Sequence, residues 1–420
     1  MDINQLLHGV DCVCGKRHTC DIKNVYIEKN AVNRLTPLCR DNRHILLVAD
    51  ENTFSAAGKD VIAILQDKAV TTVIFPGKEL LVPNEAAIRT VQSATDNIDL
   101  IIGVGSGVIQ DLCKYVSFIC HIPYIIVATA PSMDGYASNG AAMIIGGMKV
   151  TYSAGLPIAI IADTEVIRNA PIDMLKAGYG DIIGKFSALN DWKLSNLINN
   201  EYFCPYIYDL TYAQIQKTLS LADGILNRNE ESIKALMEAL IIIGILMSFA
   251  GSSRPASGSE HHLSHYFEIT GILDGTPYFS HGIDVAYSTI ITAKLREKIC
   301  ASPFPDQVYR ISPDAYHAIM SKIYKSAAAG CIALQEKTQN YTTDRAYLQK
   351  QDSIRAILAE MPTADEITQM LSLVNLDIAD FHRLYGKEKI KNAILYAKDL
   401  KDRYTVLWVN YDLFGEIENV

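Results

Sequence analysis

Apolar positions in the first 165 residues fall into short unbroken runs. Residues 44–50 read HILLVAD, 71–75 TTVIF, 99–105 DLIIGVG and 123–129 PYIIVAT. Helical periodicity separates them, at 54–66, 84–94 and 108–119. Strands that alternate with helices predict βαβ units and a mostly parallel sheet. Unbroken apolar runs suit strands covered on both faces. Residues 140–163 break the rhythm: Gly146-Gly147 between apolar runs predicts a hairpin, and 159–162 a last strand. Beyond residue 163 strand-like runs almost vanish. Long helical patterns take over at 174–197, 211–223, 232–248, 283–297, 313–339, 365–373, 387–397 and 402–413. The expected architecture is an α/β N-terminal domain with a Rossmann-like sheet, residues 1–165, followed by an all-α C-terminal domain, residues 166–420. The boundary falls close to Pro171.

A chain of 420 residues fits two or three domains. The formal charge of −9 argues against non-specific nucleic-acid binding, though not against an anionic substrate. The apolar run 239–250 is too short for a bilayer and predicts a buried helix, so no membrane insertion is expected. The N-terminus lacks the basic and apolar regions of a signal peptide, which points to the cytoplasm. Nine scattered cysteines do not resemble a disulfide framework. Cys12-Val-Cys14-Gly-Lys-Arg-His18 invites a zinc reading but has no second half nearby. It reads better as a terminal segment with reduced thiols.

Chemistry in such a sheet lies beyond the C-terminal ends of its strands. Gly103-Val-Gly105-Ser106-Gly107 is a glycine-rich turn into a helix. It lets backbone N–H groups approach a pyrophosphate, although Val108 stands where a Rossmann fingerprint has its third glycine. A tight strand-to-helix turn alone would look the same. Thr129-Ala130-Pro131-Ser132-Met133-Asp134-Gly135-Tyr136-Ala137-Ser138 carries hydroxyls and an acid directly after a strand. Asp50 ends the first strand where a ribose-hydroxyl acceptor would sit, and an acid there favours NAD over NADP.

In the helical half, His261 and His265 lie four apart and share a helix face. His281 follows, and Ser257 with Glu260 has capping-box spacing. The cluster suits metal binding or proton transfer about as well as a polar helix start. Gly178 and Gly180 interrupt a helical stretch before Asp181, which suggests a break or a close approach; Asp181 as a simple helix cap fits equally well.

With Asp181, His261 and His281 in this order after a G-x-G-S-G turn, the chain resembles the metal-dependent polyol and alcohol dehydrogenases that include glycerol dehydrogenase and dehydroquinate synthase. Three stretches look like the bacterial-type sn-glycerol-1-phosphate dehydrogenases: 129–138, 253–261 and 401–407. The resemblance implies that Asp50, Gly105, Ser106, Gly107, Val108, Ile109, Thr129, Ala130, Ser132 and Ser138 contact NAD(H). It implies Asp134 at the substrate, and Asp181, His261 and His281 around one nickel or zinc ion. Asp181 would also lie near substrate, and His265 would face it without being a ligand. His262 takes no assigned role. The implied reaction interconverts dihydroxyacetone phosphate and sn-glycerol 1-phosphate in a lipid pathway, in a homodimer. For the substrate phosphate we expect Arg254 and the backbone N–H groups of Ser257–Ser259, because an arginine beside a helix start suits a dianion. Rival readings are a polyol dehydrogenase for an unphosphorylated substrate, a dehydroquinate synthase-like lyase, and a non-catalytic NAD-binding protein.

Overall fold

The computed structural model describes residues 3–78, 81–146, 148–338 and 344–415. The chain divides into two compact units, and neither is one continuous segment. The first comprises Met1–Tyr179 and Gln216–Ser252, and the second Gly180–Ile215 and Ser253–Val420. A single cut at 165/166 is therefore not where the packing divides. The helix Ile172–Asn199 contributes to both units, and residues 216–252 return to the first.

The ten short strands among the described residues all fall in the first unit: β1 (Val10–Asp11), β2 (Arg17–His18), β3 (Asn24–Glu28), β4 (His44–Asp50), β5 (Ala69–Phe75), β6 (Leu100–Gly105), β7 (Tyr124–Ala128), β8 (Gly140–Ile145), β9 (Met148–Ser153) and β10 (Ala159–Asp163). Six form one sheet in the order β3-β10-β7-β6-β4-β5. Every neighbouring pair in it is parallel. The edge strand β3 was not expected. Its five residues, NVYIE, are half-exposed rather than a buried run. The chain winds one way from β4 to β5 and the other way from β6 to β7, so β4 and β6 flank a topological switch point. Asp50 ends one of these strands and Gly105 the other.

Both faces of the sheet are covered. Leu47, Ile102, Val127 and Ile161 pack on one side with Ala57, Val61 and Leu65. Leu46, Val48 and Ile101 pack on the other with Ile109, Leu112 and Val116. Each such Leu or Ile contributes roughly 1.5–3 kcal/mol by leaving water. Helix α1 (Glu85–Gln92) and helix α2 (Gly107–Cys120) belong to this second face. β8 and β9 form the expected hairpin; Gly146 takes φ 59° in its turn, and Gly147 lies outside the described residues.

Helix α3 (Ile172–Asn199) runs unbroken through Gly178 and Gly180. Helix α4 (Glu230–Ala250) belongs to the first unit. At 21 residues, with mean hydropathy 2.1 over its most apolar 18, it is longer and more apolar than expected, enough to cross a membrane by those measures alone. That 18-residue stretch is 78% buried inside the protein, and so it serves as a core helix.

The second unit is helical, with no strand among its described residues. Helix α5 (Ser259–Asp274) and helix α6 (His281–Ala301) pack side by side in it. The expected helix at 313–339 is two, Pro313–Tyr324 and Ala328–Thr338, separated where Lys325 takes φ 46°; Gln339 lies outside the described residues. A helix at Asp344–Leu358 was not expected. Its Tyr347, Ile354 and Leu358 join Leu194, Trp408 and Val409 in a buried core.

Candidate active site

In the first unit the glycine turn follows from the need for close packing. A Cβ on Gly103 would lie 2.8 Å from Cys113 Sγ, and one on Gly105 would lie 2.6 Å from Ile109 Cβ. Glycine at both positions lets α2 pack directly on β6, the task a third glycine performs in the usual fingerprint. Ser106 is the N-cap residue but makes no side-chain cap bond. Gln110 N donates to Ser106 O at 2.9 Å. The N–H groups of Gly107, Val108 and Ile109 therefore belong to the open first turn of the helix, where an anion is favoured. The side chain of Ile109 is buried, so backbone is what this residue can offer a phosphate.

Residues 129–138 are held from below by α2. Buried Lys114 donates from Nζ to Gly135 O at 3.0 Å and to Gly140 O at 2.8 Å, with Asp111 Oδ1 at 3.7 Å. Burial pulls its pKa down, while Asp111 opposes the shift. Gln110 Nε2 donates to Tyr136 O at 3.3 Å and Tyr124 Oη at 3.2 Å, which helps to secure the loop. Tyr136 Oη donates to Ala130 O at 2.8 Å. A Cβ on Gly178 would overlap the Pro131 carbonyl. The close approach expected there is real, and the break is not. Thr129 and Ser138 are buried, Ser132 and Asp134 half-buried. Asp50 Oδ1 accepts from Thr53 N at 2.8 Å, capping a short helix.

In the second unit α3, α5 and α6 bring together Asp181, His261 and His281. One ligand atom from each lies within 4.8 Å of the others. Gly180 makes room: a Cβ there would lie 2.5 Å from Gly282 O, at the start of α6. Asp181 is fully buried, with Lys185 Nζ at 2.6 Å and His261 Nε2 at 3.5 Å from Oδ1. Burial alone would raise the Asp181 pKa, but Lys185 and His261 outweigh it and hold the carboxyl far below its usual range. On the other side of the His261 ring, Nδ1 lies 2.6 Å from Glu260 Oε1. That carboxylate orients the imidazole so that Nε2 is directed to Asp181, the arrangement in which a histidine serves a metal. His281 Nδ1 has Ser264 Oγ at 3.4 Å. One carboxylate and two imidazoles fit a divalent first-row ion.

His265 stands one turn beyond His261, with ring centroids 6.2 Å from His261 and 5.6 Å from His281. Its Nδ1 is 3.8 Å from Glu268 Oε2. His262 is fully buried, and burial with the nearby charges of Arg403, Lys401 and Arg254 pushes its pKa well down, so it is neutral.

Three partners of the cluster carried no assigned role in the sequence. Lys185 follows Asp181 by four, and the helical pairing rule could have found it. Glu260 read as half of a capping box. Asp191, ten residues after Asp181, accepts from Ser259 N at 2.7 Å and holds the start of α5. It is fixed in turn by Arg296 Nη2 at 2.7 Å.

Arg254, expected at the substrate phosphate, is tied into the protein itself. Arg254 is buried and its guanidinium donates to Glu201 Oε1 at 2.7 Å and Oε2 at 2.5 Å, to Tyr404 O at 3.0 Å and to Ser195 Oγ at 3.1 Å. The neighbouring N–H groups are also committed: Ser257 N to Ser253 O, Gly258 N to Glu260 Oε1, and Ser259 N to Asp191 Oδ2. The expected Ser257–Glu260 capping box is absent, since the helix starts at Ser259 with Gly258 as N-cap.

Residues 26–171 match the iron-containing alcohol dehydrogenase family. An iron-containing alcohol dehydrogenase of Thermococcus thioreducens shares the fold, with TM-score 0.59 at 13% identity, over 90% of this chain and 91% of that one. A glycerol-1-phosphate dehydrogenase [NAD(P)+] of Halalkalibacterium halodurans is 36% identical over 68% of this chain and 73% of its own length. One of Geobacillus thermodenitrificans is 30% identical over 97% and 98%. The chain belongs to the glycerol-1-phosphate dehydrogenase family, and the resemblance read from its motifs is borne out.

Proposed function

We propose that the protein reduces dihydroxyacetone phosphate with NADH to sn-glycerol 1-phosphate, and catalyses the reverse oxidation. The observation that carries this reading is the Asp181–His261–His281 cluster, with Asp181 and His261 buried and Glu260 behind His261, in a chain of this family. A divalent ion, nickel or zinc, would be held by these three side chains and would polarise the C2 carbonyl of the substrate. The N–H groups of Gly107, Val108 and Ile109 receive the cofactor pyrophosphate. Asp50, through the carboxylate oxygen not tied to Thr53, accepts from the ribose. Thr129, Ala130, Ser132 and Ser138 complete the cofactor contacts, and Asp134 orients the substrate. Asp181 keeps its negative charge in a buried setting because Lys185 compensates it. His265 passes a proton to the C2 oxygen as hydride arrives at C2, with Glu268 steadying its ring. We place the active protein in the cytoplasm as a homodimer supplying a lipid precursor.

Full-length protein loaded with nickel or zinc should oxidise NADH with dihydroxyacetone phosphate far faster than with dihydroxyacetone. Equal rates would favour a polyol dehydrogenase, and no rate with either metal would remove the proposal.

A further inference from the structure

The segment that precedes the sheet gathers a second set of metal-type ligands, all within the first unit. β1 and β2 are two residues each, paired Val10 with His18 and Asp11 with Arg17. The turn between them is closed by Cys12 N to Lys16 O and by Gly15 N to Cys12 O, both 3.0 Å, with Gly15 at φ 85°. This turn brings Cys12 Sγ, Cys14 Sγ and a ring nitrogen of His18 within 4.8 Å of one another. Cys14 Sγ and His18 Nε2 are 3.5 Å apart. Around a tetrahedral zinc ion with arms of about 2.3 Å to sulfur and about 2.0 Å to nitrogen, the sulfur–nitrogen edge is about 3.5 Å.

The far side of the histidine supplies an independent observation. The His18 ring is buried, 1% exposed, and stacked on Phe249 with centroids 5.3 Å apart. Its Nδ1 lies 3.1 Å from Phe249 O, near the C-terminal end of α4. A carbonyl only accepts, so Nδ1 carries the hydrogen and donates it. The lone pair is thereby left on Nε2, on the side of Cys14. A backbone carbonyl that fixes the tautomer and orientation of an imidazole is a common partner of a metal-bound histidine.

Such a short ribbon needs more than its own hydrogen bonds. Two-stranded hairpins are marginal in water even when longer than this one. A thiolate–imidazole metal site would fasten it to the last turn of α4.

We propose that Cys12, Cys14 and His18 bind a second, structural metal ion, with two thiolates and one imidazole selecting zinc, separate from the Asp181–His261–His281 cluster. Structural zinc sites are closed by four ligands, so one more side chain completes it. Replacing each remaining cysteine by serine in turn identifies a thiolate in that place.

The test uses full-length protein with cobalt exchanged for the native metal. Thiolate ligands give an intense thiolate-to-cobalt charge-transfer absorption, which carboxylate and imidazole ligands cannot produce. We expect this absorption in the unmodified protein, with about two metal equivalents per chain. C12S/C14S should lose the absorption and about one equivalent. His281→Ala should lose one equivalent and keep the absorption, whatever the turnover of the enzyme. No such absorption in folded unmodified protein would overturn the proposal and leave a thiol–imidazole hydrogen bond in its place. So would an absorption that survives in C12S/C14S.

Discussion

The turn after β6 and the Asp181–His261–His281 cluster are built by opposite means. The turn works with backbone. Its side chains are removed at Gly103, Gly105 and Gly107, and what remains is a helix start with N–H groups to offer. The cluster is made of side chains from three helices, Asp181 and His261 buried and His281 half-buried, each held by another charged or polar group: Lys185 on Asp181, Glu260 on His261, Ser264 on His281. A backbone site is sensitive to added bulk and indifferent to lost functional groups. A side-chain site behaves the other way round.

The largest expected effect lies in the cluster. His261→Ala should release the ion and lower kcat/KM by about a thousandfold or more, since the ion's contribution is several kcal/mol. His265→Ala should keep the ion and lose turnover by about 10²–10⁴. Metal analysis beside steady-state NADH oxidation reads both, and equal metal loss in the two variants would merge roles that are here kept apart. Next comes the support of the ligand. Glu260→Gln should weaken metal affinity about 10–100-fold, measured by competition with a chromophoric chelator, while saturating metal restores much of the rate. Unchanged affinity would show that Glu260 does not orient His261. The smallest effects separate bulk from function at the turn. Gly105→Val should raise the KM for NADH by roughly tenfold, as overpacking costs about 1–3 kcal/mol. Ser106→Ala, which removes a hydroxyl that caps nothing, should change it less than about twofold. If Ser106→Ala had the greater effect, the turn would not be a backbone site.

The same contrast explains what was legible in the sequence. β4, β6, β7 and β10 announce themselves because strands buried on both faces must be continuously apolar, and a strand running into glycines marks its own functional end. β3 escaped because a half-exposed edge strand has no such run. His261 and His265 were legible as a pair by helical spacing. The assembly of Asp181 with His261 and His281 was not, since residues 80 and 100 positions apart obey no local rule; it came from resemblance to known dehydrogenases. The surroundings of Arg254 and of the N–H groups of Ser257–Ser259 were not legible for a physical reason: composition shows that a donor exists, but not that Glu201, Glu260 and Asp191 accept from it.

Helix α4 bears on how the protein is made. Its residues 230–250 include an unbroken block, Ala239–Met247, that is buried throughout. A nascent segment of this kind, left without partners, invites aggregation. Its packing partners in the first unit include β3 and the turn at Gly135–Ala137. All six strands of the sheet end by Asp163, so they have left the ribosome before this helix does. Synthesis from the N-terminus thus delivers this long apolar helix after the strands it packs against. A circular permutant that begins just before Asn229, the residue that caps the helix, would reverse that order while keeping the cap.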